Sequence, residues 1–226
     1  MRTLKILALV SVLFFGLSCK KGTDPDTPNY LPIVNTGNAH LDSVLNNTPV
    51  ETISVEEEEA LKLMREEEKL ARDLYLNAFD QWNLNIFQNI SGSEQMHMDA
   101  IKGLLIKYNI TDPVVNDGRG IFTNALIDSI YLVLNQQQLL SKIDALKMGA
   151  FVEEFDIHDL RELKANEVDN IDITLIFNEL ERGSRNHLRS FYNNLQNQGV
   201  TYTPQILTKT EFDDIVNSPH ETGGGW

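Results

Sequence analysis

Two histidines and three glutamates in this sequence are spaced as metal ligands on helices would be. Glu94 and His97 are three residues apart in SEQMHMDA. His187 follows Ser184 at the same distance in GSRNHL. Residues three apart lie on one face of an α-helix, so a carboxylate and an imidazole at this spacing can converge on one ion. A lone pair of this kind is a weak signal, because a histidine on an apolar face is more often an ordinary core residue.

The charged segment MREEEKLARDLY contributes a third candidate, Glu68. Glu68 and Tyr75 are seven residues apart, and seven helical steps return to within about 20° of the starting direction. Leu61 lies seven residues before Glu68, so these three residues form one stripe. The sequence therefore predicts that Glu68 faces inward and that Glu66 and Glu67 point elsewhere. The alternative is a solvated helix face with no functional glutamate.

The segment GAFVEEFDIHDL supplies the remaining carboxylates. Glu153 and Glu154 are adjacent, so at most one of them can face a core squarely. Glu153 is in line with the apolar residues Ala150 and Leu160, which favours it as the ligand. Asp156 lies three residues after Glu153. Asp156 and Glu154 are further candidates, either as ligands or as residues that contact a ligand.

Helical periodicity places each candidate on its own predicted helix. The predicted helices cover about 54–83, 85–108, 123–134, 141 onward and 170–198. The first begins at a capping box of Ser54 and Glu57, and Thr123 is the predicted cap of the short third helix. Gly199 is a good C-terminal stop for the last helix.

Four long helices and one short helix predict an all-α domain, namely a four-helix bundle with one extra short helix. Polar residues at inward positions of a bundle need a reason, because buried charge is costly unless it is paired or metal-bound. Di-metal sites of such bundles take a glutamate from each of two helices and an E-x-x-H pair from each of the other two. The order in this chain is Glu68, then Glu94 with His97, then Glu153, then Ser184 with His187.

The N-terminal segment is predicted to direct the protein to the bacterial cell envelope. Residues 1–18 combine Arg2 and Lys5 with the apolar run ILALVSVLFFGL, which is typical of a secretory signal peptide. Cys19 is the only cysteine, and GLSC resembles a lipobox, so lipidation of Cys19 is predicted to attach the protein to the membrane. The alternative is a plain secretory signal.

The predicted domain order follows from these segments. Residues 19–52 are predicted to form a flexible tether, because their first part contains several prolines and few large apolar residues. Residues 53–202 are the predicted helical domain. Residues 203–226 are polar and end with a run of glycines before the last tryptophan, so they are predicted to be poorly ordered.

Composition and missing motifs argue against several functions. The net charge of −14 argues against nucleic-acid binding, which requires basic patches. The sequence lacks the G-x-x-x-x-G-K-[ST] phosphate loop and the G-x-S-x-G serine motif, so neither nucleotide binding nor serine hydrolysis is indicated. With a single cysteine there is no C-x-x-C pair, and redox chemistry would need an external reductant.

Four segments together resemble the bacterial and archaeal family called DUF2202, namely REEEKLARDLY, SEQMHMDAIKGLL, GAFVEEFDIHDL and GSRNHLRSF. EEKLARDLY is also similar to the first helix of ferritin-like, rubrerythrin-type proteins. The resemblance covers about residues 54–202. It implies a ferritin-like four-helix bundle with a metal centre, and it implies no established activity.

The resemblance also implies a ligand set with a bridging carboxylate at Glu94: Glu68, Glu94, His97, Glu153 and His187. Ser184 departs from the pattern, because the full di-iron motif has a glutamate there. The second metal then depends on whether Asp156 or Glu154 supplies the missing oxygen. Tyr75 is either a hydrogen-bond partner of a ligand carboxylate or a core tyrosine.

These residues leave three functions open. The first is a non-haem iron protein, with one or two irons, that reacts with O₂ or peroxide. The second is a non-catalytic protein that senses or buffers iron, manganese or zinc at the envelope. The third is a structural or partner-binding bundle whose polar residues pair with arginines. A homodimer is compatible with each of them.

Overall fold

The computed structural model describes residues 34–36 and 38–223, and all regular structure in this range is α-helical. This confirms the all-α class. The helices are α1 (Ala39–Asn47), α2 (Val55–Trp82), α3 (Asn85–Lys107), α4 (Ala125–Gln138), α5 (Lys142–Asn166), α6 (Ile171–Asn197) and α7 (Lys209–Val216). The predicted signal peptide, Cys19 and residues 20–33 of the predicted tether lie outside the described residues. None of the described helices combines the length and the apolar character needed to cross a bilayer.

Side-chain caps fix helix ends close to the residues that the sequence indicates. Ser54 and Glu57 form the predicted capping box of α2, in which each side chain accepts the backbone N–H of the other residue. Ser141 caps α5, where its hydroxyl accepts a backbone N–H of the first turn. The cap predicted for α4 is wrong by one residue. The side chain of Asn124, and not that of Thr123, accepts the first free N–H groups of α4.

The four long helices, α2, α3, α5 and α6, contact one another in a closed cycle. The most extensive contacts pair α2 with α3 and α5 with α6, while α3 with α6 and α2 with α5 complete the cycle. The short connections at 83–84 and 167–170 indicate that the helices of each pair are antiparallel. A longer connection at 108–141 leads from α3 to α5 and includes α4, which packs against α2 and α5.

Two apolar clusters lie at different heights along these helices. One cluster contains Leu74 of α2 and Phe191 of α6. The other contains Met64 of α2 and Phe177 of α6. Full burial of such a side chain contributes about 1.5–3 kcal/mol, so both clusters stabilise the helix contacts. The inward positions between the clusters carry the polar residues that the sequence singled out, and we call this region the polar layer.

The charged run of α2 is not a solvated helix face. Every residue from Arg65 to Asp73 is buried, because the connection that follows α3 folds over this side of α2. Arg65 Nη2 lies 3.0 Å from Asp112 Oδ2, and the Asp73 carboxylate accepts the Gly120 N–H at 3.0 Å. The charges that point away from the polar layer therefore anchor the connection between α3 and α4.

The structure differs from the sequence prediction at both ends of the helical domain. Helix α1 lies within the segment predicted to be a flexible tether, and α7 lies within the tail predicted to be poorly ordered. Leu45 of α1 packs over Gly103, where an added Cβ atom would lie 2.5 Å from the leucine side chain. Phe212 and Ile215 of α7 are buried. Helices of eight or nine residues are marginal without such packing, so their sequences alone do not reveal them.

Candidate metal centre

Five predicted ligands meet in the polar layer. Helix α2 contributes Glu68, α3 contributes Glu94 and His97, α5 contributes Glu153, and α6 contributes His187. The three carboxylates are fully buried, and the two histidines are 5% and 8% exposed. An ionised carboxylate withdrawn from water in this way is costly unless a cation or a donor compensates it.

The two imidazoles present the same ring nitrogen to the carboxylates. His97 Nδ1 is 2.8 Å from Glu94 Oε2 and 3.1 Å from Glu68 Oε2. His187 Nδ1 is 2.9 Å from Glu94 Oε1 and 3.4 Å from Glu153 Oε2. Each oxygen of Glu94 therefore faces a different histidine, and Glu94 joins two groups of three residues.

Each of these two groups could hold a metal ion. In Glu68–Glu94–His97 and in Glu94–Glu153–His187, one ligand atom from each residue lies within 4.8 Å of the others. Several ligand atoms make no hydrogen bond of acceptable geometry within the described residues, although the Glu94 oxygens lie close to the two Nδ1 atoms. These atoms are Glu68 Oε1, both oxygens of Glu94, Glu153 Oε2 and His187 Nδ1. Buried polar atoms nearly always make hydrogen bonds, so a convergent set of oxygen and nitrogen atoms without hydrogen bonds fits a cation.

Burial and nearby charges shift the protonation of this centre. Burial raises the pKa of Glu68 to about 7, against the opposing effect of His97. Burial and then the charge of Glu94 raise the pKa of Glu153 to about 7. Burial would also raise the pKa of Glu94, but the two histidines outweigh it and hold that pKa well below its ordinary value. Burial would lower the pKa of His187, but Glu94 and Glu153 raise it to about 10.

We expect the free energy of unfolding of the metal-free chain to fall as the pH rises from about 5 to about 9. On folding, the pKa values of Glu68 and Glu153 rise from 4.5 to about 7, and that of His187 rises from 6.5 to about 10. Each of these groups makes its full contribution to stability at pH values below its pKa in the unfolded chain. This contribution is lost as the pH rises through its pKa in the folded chain. Glu94 has a lowered pKa, so its contribution is instead lost in acid, below about 4.5.

Urea unfolding of the metal-free chain at a series of pH values measures this slope. The metal-loaded chain is the control. Its ligands must be deprotonated to bind metal, so the fall in stability with rising pH should disappear, and stability should increase with pH wherever the unfolded ligands still bind protons. A metal-free chain whose stability stays constant or increases between pH 6 and pH 9 would contradict the assignment of these protons.

The polar layer contains a fourth carboxylate, Asp156 of α5. Asp156 is 1% exposed, and its Oδ2 has no hydrogen-bond partner within the described residues. Burial, followed by the charges of Glu68 and Glu153, raises its pKa well above the ordinary value. Ser184, by contrast, donates its hydroxyl hydrogen to the Leu180 carbonyl at 3.1 Å. Asp156 therefore has a buried oxygen without a hydrogen bond, although it belongs to neither of the two ligand groups.

Glu154 lies away from the centre and binds the C-terminal segment. Its carboxylate accepts hydrogen bonds from the Tyr202 hydroxyl at 2.6 Å and from the backbone N–H groups of Gln205, Ile206 and Leu207 at 3.0, 2.9 and 3.0 Å. These donors satisfy the carboxylate. The structure thus separates the two adjacent glutamates of α5, and it removes Glu154 from the candidate ligands.

Tyr75 contacts a candidate ligand directly. Its hydroxyl donates to Glu153 Oε1 at 2.5 Å. Its ring packs against Phe87 and Phe191, with centroid distances of 6.3 and 5.3 Å. The two sequence alternatives for this residue are therefore compatible, because the aromatic packing holds the ring and the hydroxyl orients the carboxylate of a candidate ligand.

Two polar residues of this region were missed by the sequence prediction. Ser93 Oγ lies 3.0 Å from His187 Nε2, and Ser93 precedes His97 by four residues, a spacing that could have suggested a shared helix face. Glu67, predicted to point elsewhere, is fully buried. Burial and then the charge of Asp159 raise the pKa of Glu67 well above its ordinary value, and neither of its oxygens has a hydrogen-bond partner within the described residues.

Fold and site together define an all-helical protein with a buried cluster of glutamates and histidines that could hold metal ions. The chain belongs to the family described as "Uncharacterized protein domain (DUF2202)", whose profile matches residues 57–219. This match confirms the family resemblance of the four sequence segments and includes all five predicted ligands.

The chain is also similar to a relative of known sequence and structure. It is 49% identical over 179 residues to "Uncharacterized protein MJ0754" of Methanocaldococcus jannaschii, an alignment that covers 79% of this chain and 96% of the relative. The crystal structure of hypothetical protein MJ0754 from Methanococcus jannaschii has a TM-score of 0.76 and 49% identity to this chain, covering 77% of this chain and 99% of that one. Neither name states an activity, so a function has to be inferred from the site.

Proposed function

We propose that this chain is a ferritin-like four-helix-bundle protein that binds two iron ions at the carboxylate–histidine centre and reacts with O₂ or a peroxide there. The observation that carries this proposal is the position of Glu94. One of its oxygens lies 2.8 Å from His97 Nδ1 and the other lies 2.9 Å from His187 Nδ1. A carboxylate with one oxygen beside each of two imidazole ligands is well placed to bridge two ions.

The charge of the centre supports two divalent ions. When both imidazoles are neutral, the four carboxylates of Glu68, Glu94, Glu153 and Asp156 carry four negative charges, which two divalent cations balance. Oxygen donors with a minority of imidazole nitrogens suit iron and manganese, and zinc accepts the same donors. The unpaired carboxylate oxygens of this layer are consistent with that requirement.

Residues around the centre would hold its ligands in a binding geometry. With a metal bound, His187 would keep its proton on Nε2, where Ser93 Oγ at 3.0 Å could accept it, and Nδ1 would be unprotonated for the metal. The hydrogen bond from Tyr75 to Glu153 fixes one carboxylate oxygen and leaves Oε2 directed at His187. These contacts explain how two side chains from different helices can keep their orientation in a buried site.

Bound iron would supply two electrons, one from each ion, which is what the reduction of hydrogen peroxide requires (H₂O₂ + 2H⁺ + 2e⁻ → 2H₂O). The only cysteine is Cys19, so the chain offers no dithiol to return these electrons. The proposal therefore includes an external reductant.

A non-catalytic metal-binding role is the second candidate. Ser184 stands where a glutamate ligand would complete the set, and its hydroxyl is committed to the Leu180 carbonyl. The second ion would then depend on Asp156, which enters from another helix. Such an asymmetric centre favours one tightly bound and one exchangeable ion, as a buffer or sensor of iron, manganese or zinc would need.

Metal analysis of the chain that begins at Lys20, which retains every described helix, tests the proposal. After anaerobic loading with Fe(II), we expect two irons per chain and the absorption of ferric iron after addition of O₂ or hydrogen peroxide. Tightly bound metal without any such reaction would favour the buffer or sensor. A folded helical chain without bound metal would exclude both roles.

A further inference from the structure

The histidine side of the buried centre borders a cavity. A cavity of about 210 Å³ lies against His97 and His187, between α3, α6 and the residues that follow α7. The carboxylates of Glu68, Glu94 and Glu153 are fully buried, and none of them lines the cavity. A molecule that approaches the centre through this cavity therefore meets the imidazole rings first.

The His97 ring packs closely against Gly183 at the inner end of the cavity. Gly183 lines the cavity, and a Cβ atom at this position would lie 2.6 Å from Nε2 of His97. Glycine inside a helix costs about 1 kcal/mol relative to alanine, so a packing reason for its presence is expected. Here the absent side chain leaves room for the His97 ring, which lines the cavity.

The C-terminal segment forms the outer wall of the cavity. His220 lines it, and the next residue, Glu221, holds the segment in place. The Glu221 carboxylate contacts Arg185 at 2.5 Å and Arg189 at 2.7 Å. The Glu221 N–H donates to Asn186 Oδ1 at 2.9 Å, and Asn186 Nδ2 donates to the Glu221 carbonyl at 3.0 Å. Four contacts at one residue fix the position of His220 at the mouth.

The size and the polarity of the cavity limit what it can hold. Its volume is below the roughly 300–1,000 Å³ of pockets for drug-sized ligands. Hydrogen-bonding groups line it, among them the Ser93 hydroxyl and the Asn186 amide. The guanidinium of Arg182 is paired with Glu179 at 2.6 Å, so it gives the cavity no strong excess of positive charge. These features favour a small molecule that is neutral or carries one negative charge.

We propose that this cavity is the site where a small hydrogen-bonding ligand of a few heavy atoms binds on its way to the metal centre, and that the segment carrying His220 sets the upper limit of ligand size. This inference rests on the proposed metal function. It adds the route into the centre, and it assigns a role to a C-terminal segment that extends beyond residue 219, where the family match ends.

Azide binding to the cobalt-loaded chain tests the route. Cobalt(II) reports a new ligand through its visible absorption, and azide is a small anion of three atoms. The chain that begins at Lys20 has no cysteine, so His220→Cys introduces a single thiol. That thiol is modified with methanethiosulfonates that carry either a methyl or a benzyl group. Thr222→Cys with the same two reagents is the control, because Thr222 is exposed and does not line the cavity.

We expect the benzyl group at position 220 to weaken azide binding at least about tenfold, the methyl group to weaken it less, and either group at position 222 to change it little. Unchanged azide affinity with the benzyl group at position 220, once mass spectrometry has verified the modification, would overturn the route. Absence of azide binding to the unmodified cobalt-loaded chain would overturn it too. A chain that binds no cobalt would instead refute the proposed metal function on which the route depends.

Discussion

Replacement of Glu94 by glutamine should remove metal from both positions of the centre. Glu94 is the one residue that belongs to both ligand groups, and glutamine keeps its volume but loses the charge that balances two cations. We expect bound metal to fall from two ions per chain to nearly none. The loss of affinity should exceed the roughly 100-fold that removal of an outer-shell partner can cost. Elemental analysis and calorimetric titration of the metal-free variant measure both quantities.

Single substitutions of residues that belong to only one ligand group test this prediction further. Glu68→Gln and Glu153→Gln each touch one ligand group, so each should mainly weaken one ion. Glu59→Gln removes a carboxylate from the same helix as Glu68 at a side chain that is 69% exposed, and it should retain both ions. Two ions in a Glu94→Gln chain with normal helical circular dichroism would refute the bridging role of Glu94.

Substitutions of the two adjacent glutamates of α5 should have different effects on metal binding and on the free energy of unfolding. Glu154→Ala removes the acceptor of three backbone N–H groups and of the Tyr202 hydroxyl. A buried donor left without a partner costs about 1–3 kcal/mol, so we expect the free energy of unfolding to fall by about 3–5 kcal/mol when part of the segment rehydrates. Metal binding at low temperature, where the variant remains folded, should persist.

Glu153→Ala is the matched variant one residue earlier and should behave in the opposite way. It removes a candidate ligand whose pKa is raised by burial and leaves one buried donor, the Tyr75 hydroxyl, without its partner. The metal-free chain should therefore lose about 1–3 kcal/mol, less than Glu154→Ala, while it loses metal. Urea unfolding of both metal-free variants, with elemental analysis of the loaded ones, makes the comparison. Loss of metal in Glu154→Ala, or a loss of stability in Glu153→Ala that exceeds the loss in Glu154→Ala, would show that the two roles are assigned to the wrong residues.

Much of the helical structure is readable from the sequence, because its signals are local. The capping box of Ser54 and Glu57 and the cap at Ser141 each depend on residues within one turn. The spacing of Glu94 and His97 places both on one face of α3 in the same way. The short helices α1 and α7 escaped prediction, because they exist through burial of Leu45 and Phe212 against distant parts of the chain.

The sequence alone was sufficient to identify the helical class, the family and five candidate ligands on four helices, since helical periodicity and short motifs carry that information. Three features required long-range contacts. The connection after α3 buries the charged run of α2. Hydrogen bonds from the C-terminal segment bind Glu154, whereas Glu153 faces His187 in the centre. Asp156 and Ser93 lie in the polar layer because helices that are distant in sequence pack side by side. The 3.6-residue periodicity of a helix does not indicate which of its faces contacts which neighbouring helix.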